Sequence, residues 1–408
     1  KIIRRAVERG ITIRALTDEM IAAMHQDTGA LGIQRPDIEP RATEYVPHML
    51  AMIAILAQKG LAYQAAGGDM NYAVRKFAGY GKLSGKSLDE LRAGERVAVQ
   101  DGKDDPLDFV LWKSAKADEP DDAKWRSAYG QGRPGWHIEC SAMSNKYLGK
   151  RFDLHGGGMD LAATHHTNEI AQNEACFKES PAQIWMHTNM LTVNGTRMSK
   201  SLGNGFLPEE LFTGNHPLLD KAYSPMTVRF FMLQTHYRST LDFSNEALQA
   251  SEKGLKRLWD AYDVLGKLQG TSNKREASDM ELDAKVNKLV NEFDEFMNDD
   301  FNTAKVLGSM FELVPVINSI KDGLIHADSL SAATLILMQQ KFKDYLQDVF
   351  GLKNNTANNE VLGGVMHLLI EIRKESKAKK DFATSDKIRN QLAAIGISCS
   401  IMNSFLFK

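Results

Sequence analysis

The chain has 408 residues, a formal net charge of −2 and 43% hydrophobic residues, which is ordinary for a soluble globular protein of about two to four domains. Three cysteines are too few for a disulfide framework and fit a reducing cytosol, and no apolar run is long enough to span a bilayer. Because the net charge gives no global basic signature, a nucleic-acid partner would have to be held by local patches.

The first residues carry several arginines but no apolar core segment, so they do not form a signal peptide. The chain starts at Lys1 rather than at Met, and we expect that a further segment precedes it. Residues 1–64 are predicted to be helical, because the apolar residues from Met49 to Ala57 keep helical spacing and Gly60 is a plausible stop.

The amino-acid composition changes after residue 64. Residues 65–133 are rich in glycine and proline, which predicts a loop-rich insertion with short strands. Residues 134–195 alternate short apolar runs with glycines and helical stretches, a pattern that favours a parallel α/β sheet. From about Asn245 to the end, the helical spacing of apolar residues predicts a helical bundle.

Residues 197–204 read Arg-Met-Ser-Lys-Ser-Leu-Gly-Asn and carry the strongest functional signal. Gly203 allows a tight turn, Ser199 and Ser201 offer hydroxyls, and Lys200 offers a compact cation suited to phosphate oxygens. The octet therefore fits a loop that closes on the polyphosphate of a nucleotide. An isolated Lys-Ser pair would more often be a basic surface turn.

A second signal combines three potential metal donors. Cys140, His165 and Glu169 offer a thiolate, an imidazole and a carboxylate, which are zinc ligands. His165 and Glu169 share a face of the helix predicted over 164–178, but His166 also shares a face with Glu169, so spacing does not separate the two histidines. A core cysteine and a surface His–Glu pair are the alternative interpretation of the same residues.

Four further positions have both a functional and a structural interpretation. The glycine triplet that ends at Gly158 is a weak nucleotide signal, and Asp160 is equally suited to capping the helix that follows. On the residues alone, Trp136 is interpreted as a core tryptophan and His155 as a turn histidine.

In chain order, Gly-Trp-His-Ile-Glu-Cys-Ser-Ala-Met, His-Gly-Gly-Gly, His-His-Thr-Asn-Glu and the serine–lysine octet resemble the cysteinyl-tRNA synthetases, a family of class I aminoacyl-tRNA synthetases. The resemblance implies an α/β fold: a Rossmann-like nucleotide-binding parallel sheet, split by an insertion and followed by a helical bundle domain. The domains it implies are the remainder of the first half of the nucleotide-binding domain (1–64), the connective insertion (65–133), the second half with a zinc site (134–195), a linking fold with the octet (196–244) and a helical tRNA-binding domain on the anticodon side (245–408).

The resemblance also assigns roles to residues. It implies that Cys140, His165 and Glu169 bind one Zn²⁺ per chain, and it favours His165 over His166. The metal would prefer a cysteine thiolate to a serine hydroxyl. The other implied roles are an amino-acid pocket lined by Trp136 and His155, ATP binding by Gly158, Asp160, Ser199, Lys200 and Ser201, and a catalytic charge on Lys200.

Two features of the family are missing from this sequence. The His-Ile-Gly-His motif is absent, and so is the additional cysteine that completes the family's zinc site, because neither Cys176 nor Cys399 matches its context. The economical explanation is that the sequence begins after both features. The alternative is a tRNA-binding protein without catalysis.

The implied activity uses ATP with Mg²⁺ to activate L-cysteine and transfers it to the 3′-terminal adenosine of cysteine tRNA, in a cytoplasmic monomer with no membrane partner. Residues 371–390 carry an excess of basic side chains that suits RNA phosphates, although a solvated charged helix would look the same. A paralogous ligase that joins cysteine to an amino-sugar conjugate is the alternative enzyme. The long helical C-terminal region favours the tRNA enzyme.

Overall fold

The computed structural model describes residues 2–90, 102–199, 202–269, 277–354, 368–379 and 381–394. Its contacts divide the chain into a large unit, Lys1–Tyr345, and a small unit, Leu346–Lys408, which are treated separately below. In the parts of the chain that the structure describes, no helix is both long enough and apolar enough to cross a membrane.

Regular elements follow one another closely in the large unit. Its helices are α1 (Ile2–Arg9), α2 (Ile13–Ala30), α3 (Val46–Gln58), α4 (Trp136–Leu148), α5 (Thr167–Phe177), α6 (Pro208–Thr213), α7 (Pro225–Leu233), α8 (Asn245–Leu265), α9 (Ala277–Asn298), α10 (Thr303–Lys321) and α11 (Ala332–Lys343). Its strands are β1 (Ala62–Gln64), β2 (Met70–Tyr72), β3 (Phe109–Ser114), β4 (Gly132–Pro134), β5 (Phe152–Gly158), β6 (Ala182–Thr188), β7 (Leu191–Val193), β8 (Thr196–Arg197) and β9 (Leu241–Phe243).

The glycine-rich segment forms a small antiparallel sheet with the order β1-β2-β3-β4. The sheet packs against α3 and α4, and Tyr72, Leu111 and Trp112 are among its fully buried side chains. The prediction of helix up to residue 64 is wrong at its end. Gly60, with φ +70°, ends the helical run, and Ala62–Gln64 then pairs with β2, because cross-strand pairing outweighs local preference.

The two long strands β5 and β6 are parallel and in register from Phe152↔Ala182 to Gly158↔Thr188. The helix α5 connects them, as parallel strands require, and the predicted strand–helix alternation is thereby confirmed. Alternate residues of β5 and β6 point to opposite faces of the sheet, and His155 and Trp185 lie side by side on one of these faces. A separate sheet with the order β8-β7-β9 follows directly and carries the start of the octet.

Beyond Ser244, which caps α8, the large unit is helical, as predicted. The helices α8 to α11 bury a common core that includes Leu258, Phe293, Met310 and Phe342. The turn between α9 and α10 is tied back to the linking fold, since the Tyr237 hydroxyl donates to Asp300 over 2.6 Å.

In the small unit, residues 350–354 are not helical, and the described residues that follow form two helices. Residues 368–378 form one helix, and α12 (Phe382–Ala394) forms the next. A π-helical turn covers Asp344–Val349, at the boundary of the two units.

Gly135 lies immediately before α4, and there is no room for a side chain on it. A Cβ built there would lie deep inside the van der Waals contact distance of the Val110 carbonyl oxygen. We expect Gly135→Ala to destabilise the protein by about 3 kcal/mol, at the upper end of overpacking costs. Gly29→Ala is the matched control, because Gly29 lies in α2 with nothing within 4 Å of the added methyl group. Equal urea midpoints for both variants and the parent would contradict this account.

Candidate functional site

Three elements converge on one cluster of potential metal donors. Cys140 comes from α4, His165 from the turn before α5, and Glu169 from the first turn of α5. Their donor atoms lie within 4.8 Å of one another. The structure therefore brings together the three residues that the sequence selected as a candidate zinc site.

The turn that carries the histidines is π-helical, over Ala162–His166, rather than part of a regular α-helix. The Thr167 hydroxyl donates to the Ala162 carbonyl over 2.7 Å, and the wide turn leaves His165 and His166 4% and 1% exposed. Such π-helical turns occur frequently at functional sites. Regular α-helix begins only at Thr167, three residues later than predicted.

Glu169 is the buried centre of the cluster. The residue is 1% exposed, and among the described residues neither carboxylate oxygen has a hydrogen-bond partner. Two imidazole nitrogens lie close to it, His155 Nε2 at 3.3 Å from Oε2 and His165 Nε2 at 3.7 Å from Oε1. Burial raises the pKa of Glu169 to about 8. A buried carboxyl group without a partner is costly, so this site is suited to a cation.

Burial also holds the other two donors in their uncharged forms. It raises the pKa of the Cys140 thiol to about 12, with smaller contributions from Glu169 and Glu139, and it lowers the pKa of His165 to about 4. A divalent cation would displace the thiol and carboxyl protons. One sulfur, one imidazole nitrogen and one carboxylate oxygen form a donor set that fits Zn²⁺.

A second donor group shares Glu169. It consists of His155, His166 and Glu169, again with donor atoms within 4.8 Å of one another. His166 Nδ1 lies 2.8 Å from His187 Nε2, so one of its two ring nitrogens is already engaged. Geometry therefore brings both His165 and His166 close to the Glu169 carboxylate. His165 Nε2 lies nearer to Oε1, whereas His155 Nε2 lies nearer to Oε2.

Two aromatic positions frame the cluster. The Trp136 ring lies 4.3 Å from the His165 ring and is 57% exposed, which excludes the interpretation as a core tryptophan. His155 lies in the middle of β5 with its ring 4.8 Å from Trp185, so it is not a turn histidine. Trp136 therefore covers the solvent side of the cluster, and His155 lies on the sheet side.

Sequence reasoning missed His137, Trp185 and His187, which complete this arrangement. His137 Nδ1 lies 2.7 Å from His165 Nδ1, and His187 bonds His166. His137 precedes Cys140 by three residues on α4, and this spacing was the available signal. Trp185 and His187 lie two residues apart on β6 and so share a face of the sheet, but which face it is depends on the pairing with β5.

Two of the predicted ATP-binding residues, Gly158 and Asp160, lie at the end of β5 and in the turn that follows it. Gly158 is the N-cap of the short helical turn Met159–Leu161, without a side-chain cap bond, so the alternative of Asp160 as the cap is wrong. A Cβ on Gly158 would collide with the Asp160 carboxylate. In the octet, Ser199 N donates to Asn204 Oδ1 over 2.8 Å, whereas Lys200 and Ser201 lie outside the described residues.

A cavity of about 660 Å³ opens at the carboxyl ends of β5 and β6. Gly156, Gly157 and Thr188 line it from the strands, and Met232 and Tyr237 line it from the linking fold. Ligands of open parallel α/β sheets bind at this edge.

Family profiles match two parts of the chain. The family described as tRNA synthetases class I (C) catalytic domain matches residues 1–253, and the DALR domain matches residues 292–354.

Individual relatives match nearly the whole chain. A cysteine–tRNA ligase of Polaromonas naphthalenivorans is 50% identical over 406 residues, which is 97% of this chain and 81% of the relative. A cysteine–tRNA ligase of Methylibium petroleiphilum is 50% identical over 405 residues, with the same coverage. Among solved structures, the methionyl-tRNA synthetase of Mycobacterium tuberculosis in complex with methionyl-adenylate matches 84% of this chain and 78% of its own, with a TM-score of 0.54 and 14% identity. At that identity the likeness concerns the fold alone.

The buried imidazoles make the stability of the metal-free protein depend on pH. Burial lowers the pKa of His166 to about 3, from 6.5 in an unfolded chain. Since the unfolded chain then binds more protons, the contribution of His166 is complete above pH 6.5 and is lost as the pH falls towards 3. Between pH 7.5 and 5, with chelator present, the parent should lose about 2 kcal/mol more than His166→Gln.

The control is His326→Gln, because the His326 side chain is 87% exposed. Urea unfolding at several pH values measures the difference. Parallel stability curves for the parent and His166→Gln would contradict a neutral, buried His166.

Proposed function

Because the chain belongs to the cysteine–tRNA ligase family of class I tRNA synthetases, we propose that it joins L-cysteine to cysteine tRNA in two steps. The cysteine carboxylate attacks the α-phosphate of Mg-ATP and releases pyrophosphate. The 2′-hydroxyl of the terminal adenosine of tRNA then accepts the cysteinyl group from the adenylate. The observation that carries this proposal is the 50% identity over 97% of the chain, joined to a buried donor cluster suited to a thiol substrate.

The donor cluster would hold the amino acid through a metal. Cys140 Sγ, His165 Nε2 and the Glu169 carboxylate are the ligands that we propose for one Zn²⁺. When bound, Zn²⁺ supplies a soft Lewis acid that coordinates a substrate thiolate more strongly than a serine hydroxyl. Support comes from the 1% exposure of Glu169 and from the absence of a hydrogen-bond partner for its oxygens within the described chain.

Trp136 and His155 would then flank the bound cysteine. The Trp136 ring lies 4.3 Å from the His165 ring on the open side, where it can exclude water from the thiol. His155 Nε2 lies 3.3 Å from Glu169 and is held by the Trp185 ring, so it can orient the carboxylate. A site built around one specific polar bond can discriminate strongly without an editing step.

ATP would bind at the carboxyl ends of the parallel strands. We propose that Gly158 and Asp160 contact the ribose and that Ser199, Lys200 and Ser201 close on the phosphates. Gly158 is the N-cap of the turn at the carboxyl end of β5, which is the edge of an open parallel sheet where ligands bind. Catalysis would rest on positioning and on the stabilisation of phosphate charge, with Lys200 acting on the pyrophosphate.

The tRNA would be held by the helical part of the chain. In the small unit, Lys374, Lys377, Lys387 and Arg389 are exposed, which suits contact with phosphates. Lys380, which adds to this basic stretch in the sequence, lies outside the described residues. The DALR match over residues 292–354 and the long helical region favour the tRNA enzyme over a cysteine:amino-sugar ligase.

Metal content tests the proposed ligands directly. We expect about one zinc per full-length chain, and we expect Cys140→Ser to weaken zinc binding by at least about 100-fold, because an alcohol replaces the thiolate. Cys176→Ser is the matched control. Cys176 lies near the carboxyl end of α5 and belongs to neither donor group, and its Sγ contacts the Met52 carbonyl oxygen at 3.8 Å. Mass spectrometry of the metal and chelator competition provide the measurement.

The same assay separates the two histidines. His165→Gln should lose the metal, whereas His166→Gln should retain it within about tenfold of the parent affinity. If the metal is lost in His166→Gln and kept in His165→Gln, the second donor group is the binding site and our ligand assignment is wrong.

Cysteine-dependent exchange of pyrophosphate into ATP tests the activity and the role of Lys200. The full-length protein should exchange with cysteine and not with serine, and Lys200→Ala should lower kcat by about 10²–10³-fold, the usual cost of one charge-stabilising group. Lys256→Ala is the control, because Lys256 lies on the surface of α8 in an exposed pair with Asp260. No exchange with any amino acid would contradict the enzyme, and a parent-like Lys200→Ala would contradict only the role of the lysine.

A further inference from the structure

Two imidazoles meet at the back of the donor cluster. His137 Nδ1 lies 2.7 Å from His165 Nδ1. A ring nitrogen either carries a proton or offers a lone pair, and two nitrogens at this distance can share only one proton. Two N–H groups would repel each other, and so would two lone pairs. The contact therefore makes one histidine the donor and the other the acceptor.

The opposite nitrogen of His165 decides which histidine donates. His165 Nε2 faces Glu169 Oε1 at 3.7 Å, within the donor group that includes Cys140. A neutral imidazole that offers its Nε2 lone pair to a metal carries its proton on Nδ1. His165 must then donate through Nδ1, and His137 must accept with its own Nδ1 and carry its proton on Nε2.

We propose that His137 is a positioning residue for the metal site: it accepts the Nδ1 proton of His165 and so holds that ring in the tautomer and orientation that aim Nε2 at the metal. This inference rests on the proposed zinc site and adds a residue to it. His137 belongs to neither of the donor groups found in the described chain, so its role is to act through His165.

The acceptor is itself held firmly in place. His137 is the second residue of α4, and its ring makes an edge contact with the buried ring of Phe109, with centroids 5.5 Å apart and an 89° angle between the planes. Trp136 stacks on it from the other side at 5.5 Å and 30°. The Nδ1 atom of His137 is therefore presented to His165 by packing, before any metal binds.

Within the described residues, neither Trp136 nor His166 replaces this acceptor. Trp136, whose ring lies 4.3 Å from that of His165, has only an N–H donor, and His166 bonds His187 through Nδ1. Removal of His137 would leave the His165 N–H buried without a partner, at 4% exposure. Loss of an outer partner of this kind usually costs about 10–100-fold in metal affinity.

Two substitutions separate the hydrogen bond from the packing. Asparagine places its Oδ1 close to the position of the histidine Nδ1 and can accept the same proton, whereas leucine fills similar space without an acceptor. In the full-length protein, His137→Leu should weaken Zn²⁺ and Co²⁺ binding by about 10–100-fold in chelator competition, and His137→Asn should stay within about threefold. The Co²⁺ absorption bands should shift in His137→Leu and be restored in His137→Asn.

Nuclear magnetic resonance of ¹⁵N-histidine provides a second test that needs no folded variant. In the zinc-loaded parent, His165 should carry its proton on Nδ1 and His137 on Nε2. The opposite pair of tautomers would overturn the proposal, and so would equal losses of affinity in both variants or parent-like affinity in both.

A Cys140→Ser variant measured in parallel distinguishes a failure of the proposed zinc site from a failure of the proposed role of His137. If Cys140→Ser retains the metal, the proposed zinc site fails. If it loses the metal while His137→Leu binds like the parent, the zinc site stands and the positioning role of His137 fails.

Discussion

The arrangement of the catalytic half follows from the burial of one carboxyl group. Glu169 is 1% exposed, and no hydrogen bond from the described residues reaches its oxygens. Burial keeps the group protonated near neutral pH unless a cation joins it, since its pKa rises to about 8. The side chains around it are a thiol and neutral imidazoles, and their sulfur and nitrogen atoms can offer lone pairs to one shared metal ion. A site of this kind is poorly stabilised when empty and is suited to a metal.

Two backbone features make that burial possible. The π-helical turn Ala162–His166 brings two consecutive histidines into the interior, where a regular helix would place them 100° apart. The bare backbone at Gly157 lets the His166 ring approach, because a Cβ there would lie 2.7 Å from a ring carbon. The parallel pair of β5 and β6 then supplies His155 and His187 to the same face. The cluster thus depends on backbone geometry as much as on its side chains.

Much of the fold and the family assignment was predictable from the sequence. The family and its α/β fold followed from four motifs in a fixed order, and the matching profiles and relatives confirm both. The predicted parallel strands are present although their apolar runs are short, and the helical bundle is present because its apolar residues keep a long and regular helical spacing. The strand Ala62–Gln64 was missed, since three residues show no period and their conformation is set by pairing with β2. The zinc ligands and the ATP loop remain proposals, with Lys200 and Ser201 outside the described residues.

The sequence by itself determined which chemical groups are available: a thiol, adjacent histidines, an acid four residues on, and a serine–lysine loop. Their order along the chain was enough to identify the family. Only the tertiary structure decided that His137 contacts His165, that Trp136 is exposed and that His155 faces Glu169. The physical reason is that these relations join α4, β5 and α5 across the interior. Distances between separate elements depend on strand register and on one π-helical turn, which leave no periodic signal in the sequence.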